Sequence, residues 1–199
     1  MKKTILVTGW LLLIAWMVPI QLQAGPAFDT VETQVGKILE VLRNPSLKEA
    51  DVEDLREEKI IPIINEIFDY TELSKRTLGR SWKKLSRRQR EEFTDLFSSI
   101  LKNLYLDRIL AYTDEKMTFN KEIVHSETKV EVQSEIATGS KTIPIHYRLK
   151  AKSGDWKVYD VVIEGVSLIK NYRSQFRDIL KNKTPADLIE ILRRKVDKA

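Results

Sequence analysis

The spacing of apolar residues changes period twice along this chain. From residue 28 to about 112 they recur every three or four positions, as on one face of a helix. From residue 117 to 164 they alternate with polar residues, as in a half-buried strand, and beyond residue 166 the helical spacing returns. In the first region Phe28, Val31, Val35, Ile38, Leu39 and Leu42 predict a helix that Asn44-Pro45 stops. Ser46 is placed to cap a second, highly charged helix over Lys48–Lys59. Pro62 interrupts the dense run Ile60, Ile61, Ile63, Ile64, Ile67, Phe68 and fits the first turn of a new helix, where a missing N–H costs nothing. Asp69 or Thr71 can cap a short helix that ends at Gly79. Ser86-Arg87-Arg88-Gln89 has the form of a capping box, opening a long helix with Phe93, Leu96, Phe97, Ile100, Leu101, Leu104, Tyr105 and Leu110 as its stripe.

In the alternating region Val130, Val132 and Ile136 predict one strand, and Ile143, Ile145, Tyr147 and Leu149 another. Thr138-Gly139-Ser140 and Ser153-Gly154 supply turns, Trp156–Ile163 is a further strand, and Met117–Ile123 adds one before them. Pro144 cannot donate to a ladder, so an edge or a β-bulge is expected there. In Trp156–Ile163 strict alternation puts Trp156, Val158 and Val162 on one face and Tyr159, Val161 and Ile163 on the other, so both faces need cover. Gly165 then turns the chain into a helix with Val166, Ile169, Tyr172, Phe176 and Ile179 on one side. Thr184-Pro185-Ala186-Asp187 opens the last helix, with Leu188, Ile191 and Leu192 inward and Arg193, Arg194 and Lys195 at its C-terminal dipole. The expected class is α+β, a curved antiparallel sheet of about four strands packed against several helices. The domain plan is helical over 28–112, sheet over 117–164 and helical over 166–197.

The N-terminus changes the setting of this domain. Lys2 and Lys3 precede an apolar run from Ile5 to Ile20, then Gln21-Leu22-Gln23-Ala24, the order of a secretory signal. Cleavage is expected after Ala24, although Leu22 is not the small residue favoured three places before a cut. Pro19, Gln21 and Gln23 shorten the run below a spanning helix, which disfavours an uncleaved anchor. Residues 25–199 then form a single domain of 175 residues, and loss of two lysines lowers the formal charge from +5 to +3. The chain has no cysteine, so an exported form owes nothing to disulfides, and a bacterial periplasm fits.

Recognisable reaction chemistry is scarce. The two histidines, His125 and His146, lack metal-ligand spacing. Gly165-Val166-Ser167-Leu168-Ile169 lacks the second glycine of a nucleophile elbow, and there is no glycine-rich phosphate loop. Asp160, inside an apolar strand, reads as an acid paired with Lys or Arg in preference to a general base. The basic segment Lys75, Arg76, Arg80, Lys83, Lys84, Arg87, Arg88, Arg90 reads poorly as a nucleic-acid site on an exported chain. It reads either as a solvated helix face or as an attractor of anionic headgroups or an acidic partner.

Several segments, in order, resemble one family. They are Phe68-Asp69-Tyr70; Leu78-Gly79-Arg80-Ser81-Trp82; Ser86 to Phe93, then Phe97; Tyr147-Arg148-Leu149; Gly154 to Val161; Glu164-Gly165-Val166-Ser167-Leu168; and Asn171 to Phe176. With the leader, over roughly residues 30–195, the chain resembles the MlaC family, soluble auxiliary components of toluene-tolerance-type ABC transporters. The resemblance implies an NTF2-like or cystatin-like sheet with helices enclosing an apolar lipid pocket, and a phospholipid as bound ligand. It implies no catalytic residues and no other cofactor. It implies a carrier working between an outer-membrane lipoprotein complex and an inner-membrane MCE-domain ABC transporter, which would maintain outer-membrane lipid asymmetry. A monomer, transient contact with a membrane surface, and no nucleic-acid partner are expected.

Burying two acyl chains of ~16 carbons is worth on the order of 20 kcal/mol against water, yet near nothing against a bilayer. A carrier therefore needs a wall about as apolar as membrane. On the matching segments, periodicity nominates Leu96, Ile100, Leu104, Ile145, Tyr147, Leu149, Val158, Ile169, Tyr172 and Phe176 as that wall. Two other readings stand beside it: a small exported isomerase or hydrolase with Asp160 as base, and an interaction adaptor with a closed core. Periodicity cannot separate a cavity from a filled core.

Overall fold

A computed structural model describes residues 25–44, 55–111 and 115–198. The expected leader (1–24) and most of the charged stretch after Ser46 lie outside the described residues. Helix α1 spans Pro26–Arg43. A π-helical turn, Leu55–Ile60, runs into α2, Ile61–Ile67, with Pro62 in its first turn. Helix α3, Tyr70–Leu78, is capped by Asp69, whose carboxylate accepts from Glu72 N at 3.0 Å, and it stops at Gly79 with φ of 56°. A 3₁₀ segment, Gly79–Lys84, leads to α4, Arg87–Leu110, opened by the Ser86–Gln89 capping box. After the sheet come α5, Leu168–Ile179, and α6, Pro185–Val196, the latter opened by a Thr184–Asp187 box.

The sheet is an antiparallel meander in sequence order: β1 Lys116–Ser126, β2 Lys129–Ala137, β3 Thr142–Lys152, β4 Asp155–Ile163 and β5 Val166–Ser167. It is curved and does not close. The fifth strand, beyond the four expected, is the two-residue return that pairs Val162 with Ser167 and Ile163 with Val166. Val166 therefore lies exposed on this return and not on the inner face of α5.

Two local expectations are corrected. Pro144 sits in the inner strand β3, in unbroken register opposite Glu135. In an antiparallel ladder the N–H and C=O of one residue point to the same neighbour. The Pro144 carbonyl accepts from Glu164 N at 3.0 Å, so its missing N–H falls where β4 has already ended. Register shifts lie elsewhere, two along β1 at Phe119/Lys121 and Val124/Ser126 and one between β3 and β4. Arg148 pairs with Asp160 and Leu149 with Val158, which leaves Tyr159 as the extra residue. A bulge inverts the alternation beyond it. Trp156, Val158, Val161 and Ile163 consequently join one apolar cluster, while Tyr159 joins another.

Those clusters form the core. A helical one gathers α3, the 3₁₀ segment, α4, α5 and α6 around Phe93, Phe97, Tyr172 and Phe176. A sheet cluster packs Ala27 and Val31 of α1 and Ile67 of α2 on Val130, Val132, Leu149, Val158 and Val161. A smaller one joins Ile60 and Ile64 to Leu106 of α4. The free edge of β4 is covered where Phe68 bridges Val158 and Asp69 N donates to the Val158 carbonyl at 2.8 Å.

Candidate functional site

The apolar face of the sheet is built in rows that cross the strands. The first row, Val130, Leu149 and Val158, is sealed beneath α1 and α2. The next is Val132, Tyr147 and Val161, of which Tyr147 keeps part of its surface open. Phe119, Ser134, Ile145 and Ile163 follow, and here every apolar member is only half-buried. The outermost row, Met117, Ile136 and Ile143, is half-buried as well. On β2, β3 and β4 cover over this face therefore thins from one end to the other, whereas on β1 Val124, beside Val130, is exposed. Two polar residues stand in these rows: Glu122 of β1, beside Val132, and Ser134, whose hydroxyl is satisfied by donating to the Ile145 carbonyl at 2.8 Å. Burial pushes the Tyr147 hydroxyl well above its ordinary pKa, against a smaller opposing effect of Ser134, so it stays neutral.

The helical cluster is centred on edge-on aromatic contacts, Phe97 with Tyr172 at 4.9 Å and Phe97 with Phe176 at 5.3 Å between ring centres, and it meets the sheet at Tyr159. Phe68 packs against all three clusters, and Tyr105 against both the helical and the sheet cluster. These two rings mark the seam between the helical layer and the sheet layer.

The structure divides the ten nominated residues along this seam. Ile100, Ile169, Tyr172 and Phe176 are buried in the helical cluster with Leu96 against it. Leu149 and Val158 are buried in the sheet cluster, with Ile145 and Tyr147 packed on it. Leu104 belongs to neither group and is 47% exposed. None of the ten lines either of two surface clefts along α1. One, of about 410 Å³, runs between α1, the end of α2 and the β3–β4 turn, and the other, of about 520 Å³, lies by Gly36 and Asn44. Phe68, Tyr105, Phe119 and Ile163 were not nominated. Phe68 reads as the end of an apolar run and Tyr105 as a stripe residue of its helix, and only the packing of the elements makes them the seam.

The other face of the sheet is polar. Glu131, Arg148 and Asp160 stand in register on β2, β3 and β4. Arg148 donates from Nε to Glu131 at 3.0 Å and from Nη1 to Asp160 at 3.1 Å. Asp160, 2% exposed, also accepts from Ser167 Oγ at 2.7 Å and from the Ile169 N–H at 3.0 Å, at the N-terminus of α5. Burial alone would raise the Glu131 carboxyl, but hydrogen bonds from Gln133 and Arg148 and the Arg148 charge hold it below its ordinary value. Burial acts against the Arg148 charge, and its two carboxylate partners more than offset this. Among the described residues no group of three or more His, Cys, Asp or Glu could hold a metal ion. No helix among them is long and apolar enough to cross a membrane.

Comparison with known proteins places this geometry among relatives. The family model "MlaC protein" matches residues 32–194. The intermembrane phospholipid transport system binding protein MlaC of Haemophilus influenzae is 28% identical over 133 residues. That alignment covers 63% of this chain and 62% of the relative, less than two thirds of its length. The toluene tolerance protein ttg2D of Pseudomonas putida is 22% identical over 180 residues, covering 89% of this chain and 84% of that protein. Among solved structures, a phospholipid-binding protein from Ralstonia solanacearum in complex with a phospholipid superposes with a TM-score of 0.75. It is 24% identical and the match covers 87% of this chain and 98% of the other, a likeness of fold.

Proposed function

The chain belongs to the MlaC family, and from that premise we propose that it is a periplasmic phospholipid-binding carrier, which takes lipid from one membrane system to another without chemical change. The observation that carries this reading is the graded cover of the apolar sheet face, sealed at Leu149 and Val158 and half-open at Ile145, Ile163 and Phe119. Acyl chains entering from the open end would lie on Ile145 and Tyr147 and displace contacts along the seam at Phe68 and Tyr105. Ile100, Ile169, Tyr172 and Phe176 would form the helical wall behind that seam. Such a site exchanges one apolar environment for another, so chain transfer from a bilayer is close to isoenergetic. The headgroup would remain outside, where water keeps its charges solvated.

The carrier would accept or deliver lipid at an outer-membrane lipoprotein complex and at an inner-membrane MCE-domain ABC transporter, the partners that the family resemblance implies. Asp160 gives no support to the enzyme reading, because its carboxylate already accepts from three protein donors. A free general base needs an open acceptor facing a substrate. Native mass spectrometry of the exported protein tests the proposal. The expected result is a species heavier than the polypeptide by one or more phospholipids, exchangeable with vesicles. Bare polypeptide mass, with no lipid taken up from vesicles, would sink it.

A further inference from the structure

Between Lys75 and Arg90 the chain has eight cations and no acid, and the structure sorts them by role. Arg76 is built into the fold: it pairs with Glu72 at 2.7 Å and lies over the Tyr159 ring at 4.3 Å. Arg90 is likewise committed, donating to the Trp82 carbonyl at 3.1 Å and packing over its indole. Lys75 reaches Glu72 at 3.9 Å, and Arg87 pairs with Glu91 at 2.9 Å. Arg80, Lys83, Lys84 and Arg88 are exposed, and their side chains have no partner among the described residues. Arg173 of α5 is committed as well: its Nε donates to the Arg76 carbonyl at 2.9 Å and ties α5 to α3.

Two physical facts argue that these cations serve something outside the chain. Arg87 and Arg88 occupy the first two positions of α4, and no acid lies in its first turn. Positive charge there opposes the helix dipole, while Ser86 and Gln89 already satisfy the cap. Glu91 offsets Arg87, but Arg88 has no such partner, so an anion at this helix start would be favoured. The face also lacks an apolar anchor: Trp82 and Leu85 are buried, and the exposed large apolar residues Leu104, Val124 and Val166 all lie outside this segment. A protein interface is centred on buried aromatic or aliphatic anchors. A face of exposed Lys and Arg without them is suited to a charged bilayer surface, to which each cation adds separately.

We propose that the face formed by Arg80, Lys83, Lys84, Arg87 and Arg88 seats this protein on an anionic phospholipid surface. The inference extends the carrier reading, on which it rests for its purpose, and its test reads adsorption separately from bound lipid. The exported protein is sedimented with vesicles of phosphatidylcholine alone and with vesicles containing phosphatidylglycerol, at low salt and at ~0.5 M salt, where the Debye length falls to a few ångströms. Adsorption is expected only to the anionic vesicles and only at low salt. The variant R80E/K83E/K84E/R88E should lose it by at least ~100-fold, with its bound lipid by native mass spectrometry and its melting temperature unchanged. Should that variant unfold, R80Q/K83Q/K84Q/R88Q should show a smaller loss of the same kind. No adsorption at low salt, or equal adsorption by the charge-altered variant, overturns the proposal. So does a variant that keeps vesicle binding and loses only an acidic protein partner. Adsorption without any bound lipid supports the platform and removes the carrier reading.

Discussion

Asp160 and Arg148 face each other across β3 and β4, and their 3.1 Å contact joins the polar face of the sheet to the start of α5. The same carboxylate holds Ser167 Oγ and the Ile169 N–H, and Ser167 Oγ in turn accepts from Lys170 N at 3.1 Å. Asp160 thus fixes where α5 leaves the sheet, and with it the positions of Tyr172 and Phe176. Removing one partner of a buried pair strands the other charge. Asp160→Ala should destabilise the fold by about 2–4 kcal/mol, measured by urea unfolding; the figure is discounted because Arg148 is 31% exposed. Asp160→Asn, which retains one acceptor, should cost less.

Acid should weaken the same network in a defined order. The folded-state Glu131 carboxyl is held below its ordinary 4.5, so as pH falls the unfolded chain binds the proton first. The stability that Glu131 contributes is complete above about 4.5 and is lost as pH falls from there through the depressed folded value. Glu131→Gln should flatten this part of the stability–pH curve, followed by unfolding midpoints between neutral and acid pH.

Lipid retention should depend on the half-open rows and not on the exposed helix face. Ile145→Glu would place a charge on the path assigned to the acyl chains, and is expected to abolish bound lipid in native mass spectra. Leu104→Ala, at a residue 47% exposed, should change stability by no more than ~0.5 kcal/mol. Phe97→Ala, in the aromatic centre of the helical cluster, should cost about 3–5 kcal/mol. Circular dichroism must show Ile145→Glu folded for its lipid loss to be read.

Helix α1 takes its N-terminal cap from a distant strand. Gly25 offers no side chain, and Glu122 of β1 accepts from Phe28 N at 2.8 Å. Glu122→Ala should destabilise by about 1 kcal/mol through loss of a cap and of an acid at the helix start. A Cβ at residue 25 would run into the Glu122 carboxylate. Gly25→Ala is therefore expected to displace Glu122 and to add little further loss in the Glu122→Ala background, a coupling that a double-mutant cycle measures.

Local chemistry settled much of this protein. The capping boxes at Ser86 and Thr184 and the turns at Gly79, Gly154 and Gly165 follow from side chains and glycines acting within a few residues, so the sequence alone located them, while it left Asp69 and Thr71 open as the cap that the structure assigns to Asp69. The change of period from helix to strand likewise gave the α+β class, and ordered segments gave the family. Long-range registry decided the remainder. A single extra residue at Tyr159 inverted the faces of β4, because side chains alternate with period two and one insertion reverses every residue beyond it. Pro144 was tolerated because β4 ends beside it, a fact about a strand twenty residues away. The seam at Phe68 and Tyr105, the thinning of cover toward Ile145, and the three donors on Asp160 all depend on which elements meet in space. Each residue carries its polarity in the sequence, but its neighbours, and hence the work its polarity does, exist only once the layers have packed.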